Sequence, residues 1–425
     1  MDLIIRNAKL MNQKQLMDVG IDRGKFVQIK PKLNLKGKQE IHANGHFLSP
    51  PLIDSHIHID AALSANMLRE NKQGSLEEAI AIWSDFKKDI SIPTLRKRMK
   101  TVIHWLIAQG VQHIRAHTDV NEKEHIFLKE LKQLKEDYRP YLDIQIVAFP
   151  QDGIYTSSEN YDTFVQALHI GVDVIGGLPQ AEGTKENGLR SLHTIFELAK
   201  AHKTLIDIHA DETNDPHSTY TEAIAKLTIK HEMQGKVAVS HATAMHEYDD
   251  SYTSQLYDLL NEAKISIVTN PFSNALLQNR NTPYPRSRGT ARIDELIENN
   301  INVSIGNDNV MDPFGPLGKG HIVEAALLLA HTAQLSHQDH LNRLYQMITY
   351  DAAQTLSLTE YGIQVGQDAN CVLMQASDPS ELIRLSSHCL YSIRHGQIIA
   401  QADPYEPTLF LHDRPQSVHF NHKHL

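Results

Sequence analysis

The sequence is short of cysteine, of long apolar runs and of clustered charge. Its two cysteines cannot form a disulfide framework for 425 residues, which favours a reducing compartment. No apolar run approaches the roughly 18 residues that span a bilayer, and the first residues lack the apolar core of a signal peptide. The net charge of −10 contains no basic cluster of the kind that binds phosphate backbones. We therefore expect a cytoplasmic protein that binds neither nucleic acid nor membrane.

The two ends of the chain differ from its middle in their pattern of apolar and turn-forming residues. Residues 1–49 and the stretch from 362 to 425 contain short apolar segments broken by turns at Gly20, Gly24 and Gly396, which is typical of β-strands. The middle alternates between strand-like and helical patterns. We therefore predict a small β-sandwich domain formed by both chain ends, residues 1–49 plus 362–425, and a second domain over residues 50–361.

Eight short apolar runs in the middle region indicate buried strands. They lie at 52–58, 111–117, 143–149, 172–176, 205–209, 237–241, 265–270 and 302–306. Helical spacing of apolar residues lies between most of them. The clearest helix is predicted over 186–203, with one apolar stripe formed by Leu189, Leu192, Ile195, Phe196 and Ala199. Eight strand–helix units predict an α/β fold, a (β/α)8 TIM-type barrel, and a doubly wound open sheet is the alternative.

Good metal ligands occur at the ends of several of these strands. His56 and His58 are two residues apart at the end of the first run, so alternation places both imidazoles on one side of the strand. Such a pair alone is more often ordinary packing. However, His209 ends the fifth strand, His241 ends the sixth, and Asp308 follows the eighth. The carboxyl ends of parallel barrel strands share one face, where enzyme sites are built. These residues together predict a metal-dependent active site.

This pattern resembles the amidohydrolase superfamily, and within it the bacterial cytosine deaminases. The resemblance also rests on three local phrases, at residues 144–151, 240–246 and 308–313. It implies that His56, His58, His209 and Asp308 bind one divalent metal ion, either Fe(II) or Zn(II). The fourth strand ends at 175–179 without the lysine that bridges two metals in binuclear relatives, which favours a single ion.

The same resemblance assigns roles in hydrolytic deamination. Asp308 would accept a proton from the attacking water as well as bind the metal. His241 would orient the nucleophile without being a primary ligand, and Glu212, three residues after His209, would carry a proton to the ring nitrogen. Gln151 offers a donor and an acceptor, which suits a ring face with an N–H beside a C=O. His117, at the end of the second strand, is expected behind the ligands.

Three positions depart from the cytosine deaminase pattern, and we expect them to cluster on one side of the pocket. Asn309 replaces an aspartate, Phe314 replaces a tryptophan, and Asn307 replaces a histidine. Asn309 and Phe314 are predicted to bind substrate, but they leave the identity of the ring open. Isocytosine, a modified pyrimidine, a creatinine-like ring or a triazine are alternatives to cytosine. A non-catalytic binding protein is a further alternative, although every ligand is present. The expected partner is a small heterocyclic substrate, and the chain is expected to form a homo-oligomer.

Overall fold

A computed structural model describes residues 1–280, 282–411 and 414–420. Its strands are β1 (Leu3–Leu10), β2 (Met17–Asp22), β3 (Lys25–Lys30), β4 (Gln39–His42), β5 (Phe47–Ser49), β6 (Leu52–Ile57), β7 (Val111–Asp119), β8 (Asp143–Phe149), β9 (Val174–Gly177), β10 (Leu205–Ala210), β11 (Val237–His241), β12 (Ser266–Thr269), β13 (Asn302–Ile305), β14 (Cys371–Met374), β15 (Cys389–Arg394), β16 (Gln397–Gln401), β17 (Thr408–Leu411) and β18 (Arg414–Ser417).

Helices connect most of these strands. They are α1 (Leu76–Phe86), α2 (Ile92–Ala108), α3 (Ile126–Tyr138), α4 (Ser158–Ile170), α5 (Lys185–His202), α6 (Tyr220–Lys230), α7 (Asp250–Ala263), α8 (Pro271–Leu277), α9 (Ile293–Glu298), α10 (Ile322–Thr332), α11 (Gln338–Met347), α12 (Tyr350–Thr355) and α13 (Pro379–Leu385). Short 3₁₀ segments lie at Lys87–Asp89, Pro179–Glu182 and Thr243–Glu247.

The strands β6 to β13 form a parallel sheet in which each strand pairs with the next along the chain. The sheet closes where a parallel bridge joins Ile57 to Asp308. At this closure Asp308 N donates to His56 O, and His58 N donates to Asp308 O, each at 2.7 Å. The predicted (β/α)8 barrel is confirmed, and closure rules out the open sheet. The eight strands lie within about two residues of their predicted ends.

The helix α5 shows how local sequence sets an element of the barrel. The Thr184 hydroxyl accepts from Asn187 N at 3.1 Å, which caps the first turn, and Lys203 ends the helix in the left-handed region at φ 56°. Leu192 and Phe196 are buried against the strands as expected. Leu189 is 38% exposed, so its predicted place in the apolar stripe is wrong. Gly188, one residue earlier, takes the buried position in that turn of the helix instead.

A second eight-stranded sheet takes strands from both chain ends, in the order β16-β15-β14-β5-β1-β2-β3, with β4 on β1. The strand β5 joins the two ends because it pairs parallel to β1 and antiparallel to β14. This sheet has an apolar cluster of its own, which includes Ile5, Val19, Phe26 and Leu373. The division into 1–49 plus 362–425 and 50–361 stays a prediction, and residues 421–425 lie outside the described part of the chain.

The structure also bears on the low cysteine content and on the lack of long apolar runs. Both cysteines, Cys371 and Cys389, are free thiols buried in the terminal sheet. None of the helices formed by residues 1–280, 282–411 and 414–420 combines the length and the apolar character needed to cross a bilayer.

Candidate active site

The site lies at the carboxyl ends of the barrel strands, where β6 and β13 approach closely. A Cβ atom on Gly306 would lie 2.5 Å from His56 Cβ and 2.6 Å from His56 O, so only glycine fits there. Two residues later the backbone turns into the left-handed region, with Asp308 at φ 63°. His241, at the end of β11, is also left-handed, at φ 75°. Backbone strain of this kind, of order 1–3 kcal/mol per residue, is concentrated at functional sites.

The four predicted ligand atoms converge on one point. His56 Nε2 lies 3.3 Å from His58 Nε2, and His58 Nε2 lies 3.2 Å from His209 Nε2. Asp308 Oδ1 lies 3.3 Å from both His56 Nε2 and His58 Nε2. A tetrahedral ion with bonds of about 2.1 Å would separate its ligands by about 3.4 Å. Three ring nitrogens and a carboxylate oxygen at these separations match the coordination shell of one metal ion, so the residues fit a bound metal.

The electrostatic surroundings favour the protonation states that bind a metal. Burial and the neighbouring imidazoles lower the pKa of His56 to about 3, and burial followed by the surrounding histidines lowers that of His209 well below its usual value. Burial alone would raise the pKa of Asp308, but its contact with His56 and the other nearby imidazoles hold it below its usual range. Neutral imidazoles beside an ionised carboxylate form a donor set for a divalent ion.

A buried chain of hydrogen bonds orients His56 from behind. Ser240 Oγ donates to Asp207 Oδ1 at 2.7 Å, and Arg115 Nη1 donates to Asp207 Oδ2 at 2.8 Å. The Ser240 hydroxyl proton is thus committed to Asp207, so at 2.8 Å its oxygen accepts from His56 Nδ1–H. This tautomer directs the lone pair of His56 Nε2 to the ligand cluster. His117 stacks on His56 with ring centroids 3.8 Å apart, and its Nε2 lies 3.6 Å from Asp207 Oδ1.

Replacing Ser240 with alanine should weaken metal binding, because His56 would no longer be held in the binding tautomer. We expect the metal dissociation constant to rise roughly 10–100-fold. Titrating metal-free protein with Zn(II) against a chromophoric chelator measures this constant directly, without an activity assay. The matched control is Ser392→Ala, which removes another buried serine hydroxyl, in β15 of the terminal sheet, that accepts from Gln112 Nε2 at 3.1 Å. An unchanged constant in Ser240→Ala would show that the chain of hydrogen bonds does not support the site.

His241 lies within the same group of possible ligands, because its ring nitrogens come within 4.8 Å of the ligand atoms of His56, His209 and Asp308. Its hydrogen bonds indicate a different role. Asn270 N donates to Asn274 Oδ1 at 3.2 Å, which fixes that amide, and Asn274 Nδ2 then donates to His241 Nδ1 at 2.9 Å. A neutral imidazole that accepts at Nδ1 carries its proton on Nε2. His241 is therefore set as a hydrogen-bond donor, in keeping with its expected role.

Glu212 lies beside His241, with Oε1 3.4 Å from His241 Nδ1. Burial, followed by the negative charge of Asp308, raises the pKa of Glu212 well above its usual value. Its loop is tied down by the adjacent Asp211, whose carboxylate accepts from Ser218 Oγ, Tyr220 N and Thr221 N at 2.7–2.9 Å. Asp308 is thus an ionised carboxylate and Glu212 a nearby carboxyl group that favours its protonated form, an arrangement that suits acid–base catalysis.

These groups face a cavity at the mouth of the barrel. It is lined by His58, Asp60, Ala61, Leu76, Ile80, Trp83, Asp119, Phe149, Gln151, Leu178, His209, Glu212, His241, Leu277, Asp308, Asn309 and Phe314. The predicted substrate residues Gln151, Asn309 and Phe314 are thus brought together with the ligands.

The polar side chains at the site differ in whether their hydrogen-bonding groups are already used within the protein. The Asn309 amide is occupied, because Oδ1 accepts from Ser273 Oγ at 2.8 Å and Nδ2 donates to Asp312 Oδ2 at 2.9 Å. The Gln151 amide forms no side-chain hydrogen bond with the part of the chain that the structure describes, so it is available to a ligand. Asn307 is absent from the cavity wall and instead donates to Asp54 Oδ2 at 2.8 Å. Its expected place at the pocket is wrong because it points to the closure of the barrel.

Several contributors were not found from sequence. Asp207 and Ser240 could have been, since alternation places Asp207 on the same strand face as His209, and Ser240 precedes a candidate histidine. Asp119 could also have been found, since it ends β7 on the same strand face as His117. Asn274 and Trp83 carried no local signal. They reach the site through connections whose paths the sequence does not specify.

Comparison with known proteins gives consistent matches. The amidohydrolase family model matches residues 119–400. The crystal structure of 5-methylcytosine deaminase from Klebsiella pneumoniae liganded with 5-fluorocytosine superposes with a TM-score of 0.91 at 34% identity, covering 94% of this chain and 98% of that one. N-isopropylammelide isopropyl amidohydrolase of Pseudomonas sp. (strain ADP) is 28% identical over 94% of this chain and 97% of its own length. Pterin deaminase of Rhizobium rhizogenes is 28% identical over 84% of this chain and 81% of its own length.

Proposed function

This chain belongs to the amidohydrolase family, as the motifs indicated, and we propose that it is a metal-dependent deaminase that releases ammonia from cytosine or a closely related amino-heterocycle. The observation that carries the proposal is the convergence of His56, His58, His209 and Asp308, in which the ligand atom of His58 lies 3.2–3.3 Å from those of the other three, beside a cavity that also contains Glu212. The deaminases among the relatives support the choice of reaction.

One divalent ion, Fe(II) or Zn(II), would be held by the three imidazoles and Asp308, and when bound it lowers the pKa of water from 15.7 to about 7. The chain supplies the proton transfers. Asp308 is ionised and accepts a proton from the attacking water. Glu212 delivers a proton to the ring nitrogen next to the attacked carbon, which gives the electron pair of the C=N bond a place to go. His241 donates a hydrogen bond from Nε2–H to the incoming oxygen and keeps its proton.

The overall reaction balances with water as the only co-substrate. A bond forms between the water oxygen and the ring carbon, and the bond from that carbon to the exocyclic nitrogen breaks. The proton taken up by Asp308 passes to the leaving nitrogen, which departs as ammonia. The ring carbon becomes a carbonyl carbon, and Glu212 recovers its proton from the oxygen that becomes the carbonyl. No oxidant or other cofactor is required.

The cavity wall suits a flat ring with polar edges. Phe149, Trp83 and Phe314 provide aromatic surface, and Phe149 itself stacks on His209 with ring centroids 4.2 Å apart. The uncommitted Gln151 amide can donate to a ring carbonyl and accept from a ring N–H. This combination supports cytosine or a 5-substituted cytosine as the substrate.

Purified, metal-replete protein is expected to release ammonia from cytosine or 5-methylcytosine, with uracil or thymine as the second product. A coupled ammonia assay with chromatographic identification of the product ring measures this. Protein stripped with a chelator is the negative control, and restoring Zn(II) or Fe(II) should restore the rate. Absence of ammonia from both pyrimidines with metal-replete protein would contradict the pyrimidine assignment.

A second candidate is hydrolysis of an alkylamino group from a triazine, the type of reaction that the name of the Pseudomonas relative describes. The aliphatic part of the cavity wall, formed by Leu76, Ile80 and Leu277, favours it because an alkyl substituent could pack there. Incubating the protein with N-isopropylammelide and analysing the released amine discriminates the two. Isopropylamine release with no turnover of either pyrimidine would select this candidate.

A further inference from the structure

The connection between β6 and α2 is unusually long and covers the cavity. It runs from residue 58 to residue 91, whereas connections of this type commonly have roughly 2–6 residues. It contains the helix α1, from which Leu76, Ile80 and Trp83 line the cavity. Long connections of this kind in barrels often form active-site lids. One wall of the site is therefore carried by an inserted helix rather than by the barrel itself.

Trp83 is the side chain through which α1 meets the barrel most closely. It is 2% exposed and packs on Phe127 of α3, with ring centroids 5.5 Å apart. Its Nε1 donates to Asp119 Oδ2, at the end of β7, at 3.1 Å. Asp119 is held in turn by Asn121 N, which donates to its other carboxylate oxygen at 2.9 Å. The indole is thereby fixed against a rigid strand end.

Lys87 follows directly after α1 and binds the same carboxylate. Its Nζ donates to Asp119 Oδ2 at 2.8 Å and to Asp152 Oδ2, in the connection after β8, at 2.6 Å. Its side chain is only 10% exposed. Burial alone would lower the pKa of Lys87, but Asp119 and Asp152 outweigh burial and raise it, so the ammonium stays charged. Lys87, Asp119 and Asp152 together are called the lysine clasp below.

The ion pairs formed by Lys88 and Arg69 lie within the connection itself. Lys88 pairs with Asp85 at 3.0 Å, and Arg69 lies 3.6 Å from Asp85. On the amino-terminal side of α1, Arg280 Nε donates to Gln73 O at 2.8 Å, and Asn71 Nδ2 donates to Pro313 O at 3.0 Å. The inserted segment is thus attached at two ends, and the lysine clasp is the ionic attachment at the carboxyl end of α1.

We propose that α1 is a lid over the active site and that Lys87 is the positioning residue that holds it closed on the substrate, through Asp119 and Trp83. The assignment of a substrate to this cavity rests on the proposed function, whereas the attachment of the lid does not. Opening at the clasp would withdraw Trp83 from the cavity wall and admit water. The clasp would therefore act on substrate retention more than on the chemical step.

The chain offers a reporter for this motion, because Trp83 and Trp105 are its two tryptophans. In a Trp105→Phe background, acrylamide quenching of fluorescence reports the exposure of Trp83 alone. The test compares Lys87→Met with Lys88→Met, a neighbouring lysine that is 67% exposed and bound only within the connection. Asp152→Asn weakens the clasp from its outer side. Hydrogen–deuterium exchange of the peptide over 76–86 gives the same information with Trp105 intact.

We expect Lys87→Met to raise the quenching constant of Trp83 and the exchange of α1, and to raise KM roughly tenfold with kcat within about twofold. Asp152→Asn should shift each in the same direction by less, and Lys88→Met should match the parent. Metal content should be unchanged in all three. Quenching and exchange in Lys87→Met equal to the parent would overturn the proposal, and so would a more exposed Trp83 without a change in KM. If the parent turns over no substrate, the proposed function fails, while quenching and exchange still decide whether the clasp holds the lid.

Discussion

An Asp308→Ala enzyme is expected to lose turnover by about 10⁴-fold or more with every substrate, because one side chain supplies both a metal ligand and the base that accepts the water proton. Its Oδ1 lies 3.3 Å from the Nε2 atoms of His56 and His58, so its removal also leaves the imidazoles without their negatively charged partner. Ammonia release under saturating metal, together with metal content by mass spectrometry, measures both losses.

The control for Asp308→Ala is Asp351→Ala. Asp351, on α12, is also a buried carboxylate. It pairs with Arg343 of α11 at 3.2 Å and does not line the cavity. Its removal should reduce thermal stability and leave kcat within about twofold, in line with a loss confined to a structural ion pair. A folded Asp308→Ala protein that retains both metal and turnover would refute the role assigned to Asp308.

The Glu212→Gln enzyme is expected to lose about 10²–10⁴-fold in kcat while it keeps its metal, because the change removes a transferable proton and spares the ligands. Glutamine preserves the shape of the side chain and can still donate a hydrogen bond. The loss therefore isolates proton transfer to the ring nitrogen from simple positioning. Comparing kcat with metal content separates this variant from Asp308→Ala, which should lose both.

Glu182→Gln provides the matched control for Glu212→Gln. Glu182 is buried like Glu212, but its two oxygens accept from the backbone amides of Ile154 and Tyr155, each at 2.7 Å. Replacing it should weaken that loop and leave the ratio of kcat to metal content unchanged. If Glu212→Gln turned over substrate at the parent rate, a group other than Glu212 would have to protonate the ring.

The barrel and the meeting of its candidate ligands could be predicted because both follow from short-range patterns, whereas the choice of four ligands without His241 came from the resemblance to the amidohydrolases. Buried parallel strands form short apolar runs, and their carboxyl ends share one face of the barrel. The sequence alone therefore places His56, His58, His209 and Asp308 together. The terminal sheet was visible for the same reason, as short strands at both ends. The role assigned to each residue stays a prediction, which the variants described above test.

The directions in which side chains point, and the contacts between residues far apart in the sequence, could not be predicted from the same patterns. Asn307 was expected at the pocket, but it lies one residue before Asp308 and its amide binds Asp54 at the barrel closure. The lysine clasp unites residues from the first connection, the end of β7 and the connection after β8, and no spacing along the chain specifies such a contact. The occupied amide of Asn309 likewise depends on Ser273 from another connection.

The central claim is that one metal ion at the convergence of four side chains enables hydrolysis. Chelator-stripped protein titrated with Zn(II) or Fe(II), with metal content and ammonia release followed on the same samples, tests it most directly. We expect activity to be absent in the stripped protein, to rise in proportion to bound metal, and to saturate at one equivalent per chain. Full activity without metal, or saturation only at two equivalents, would contradict this account.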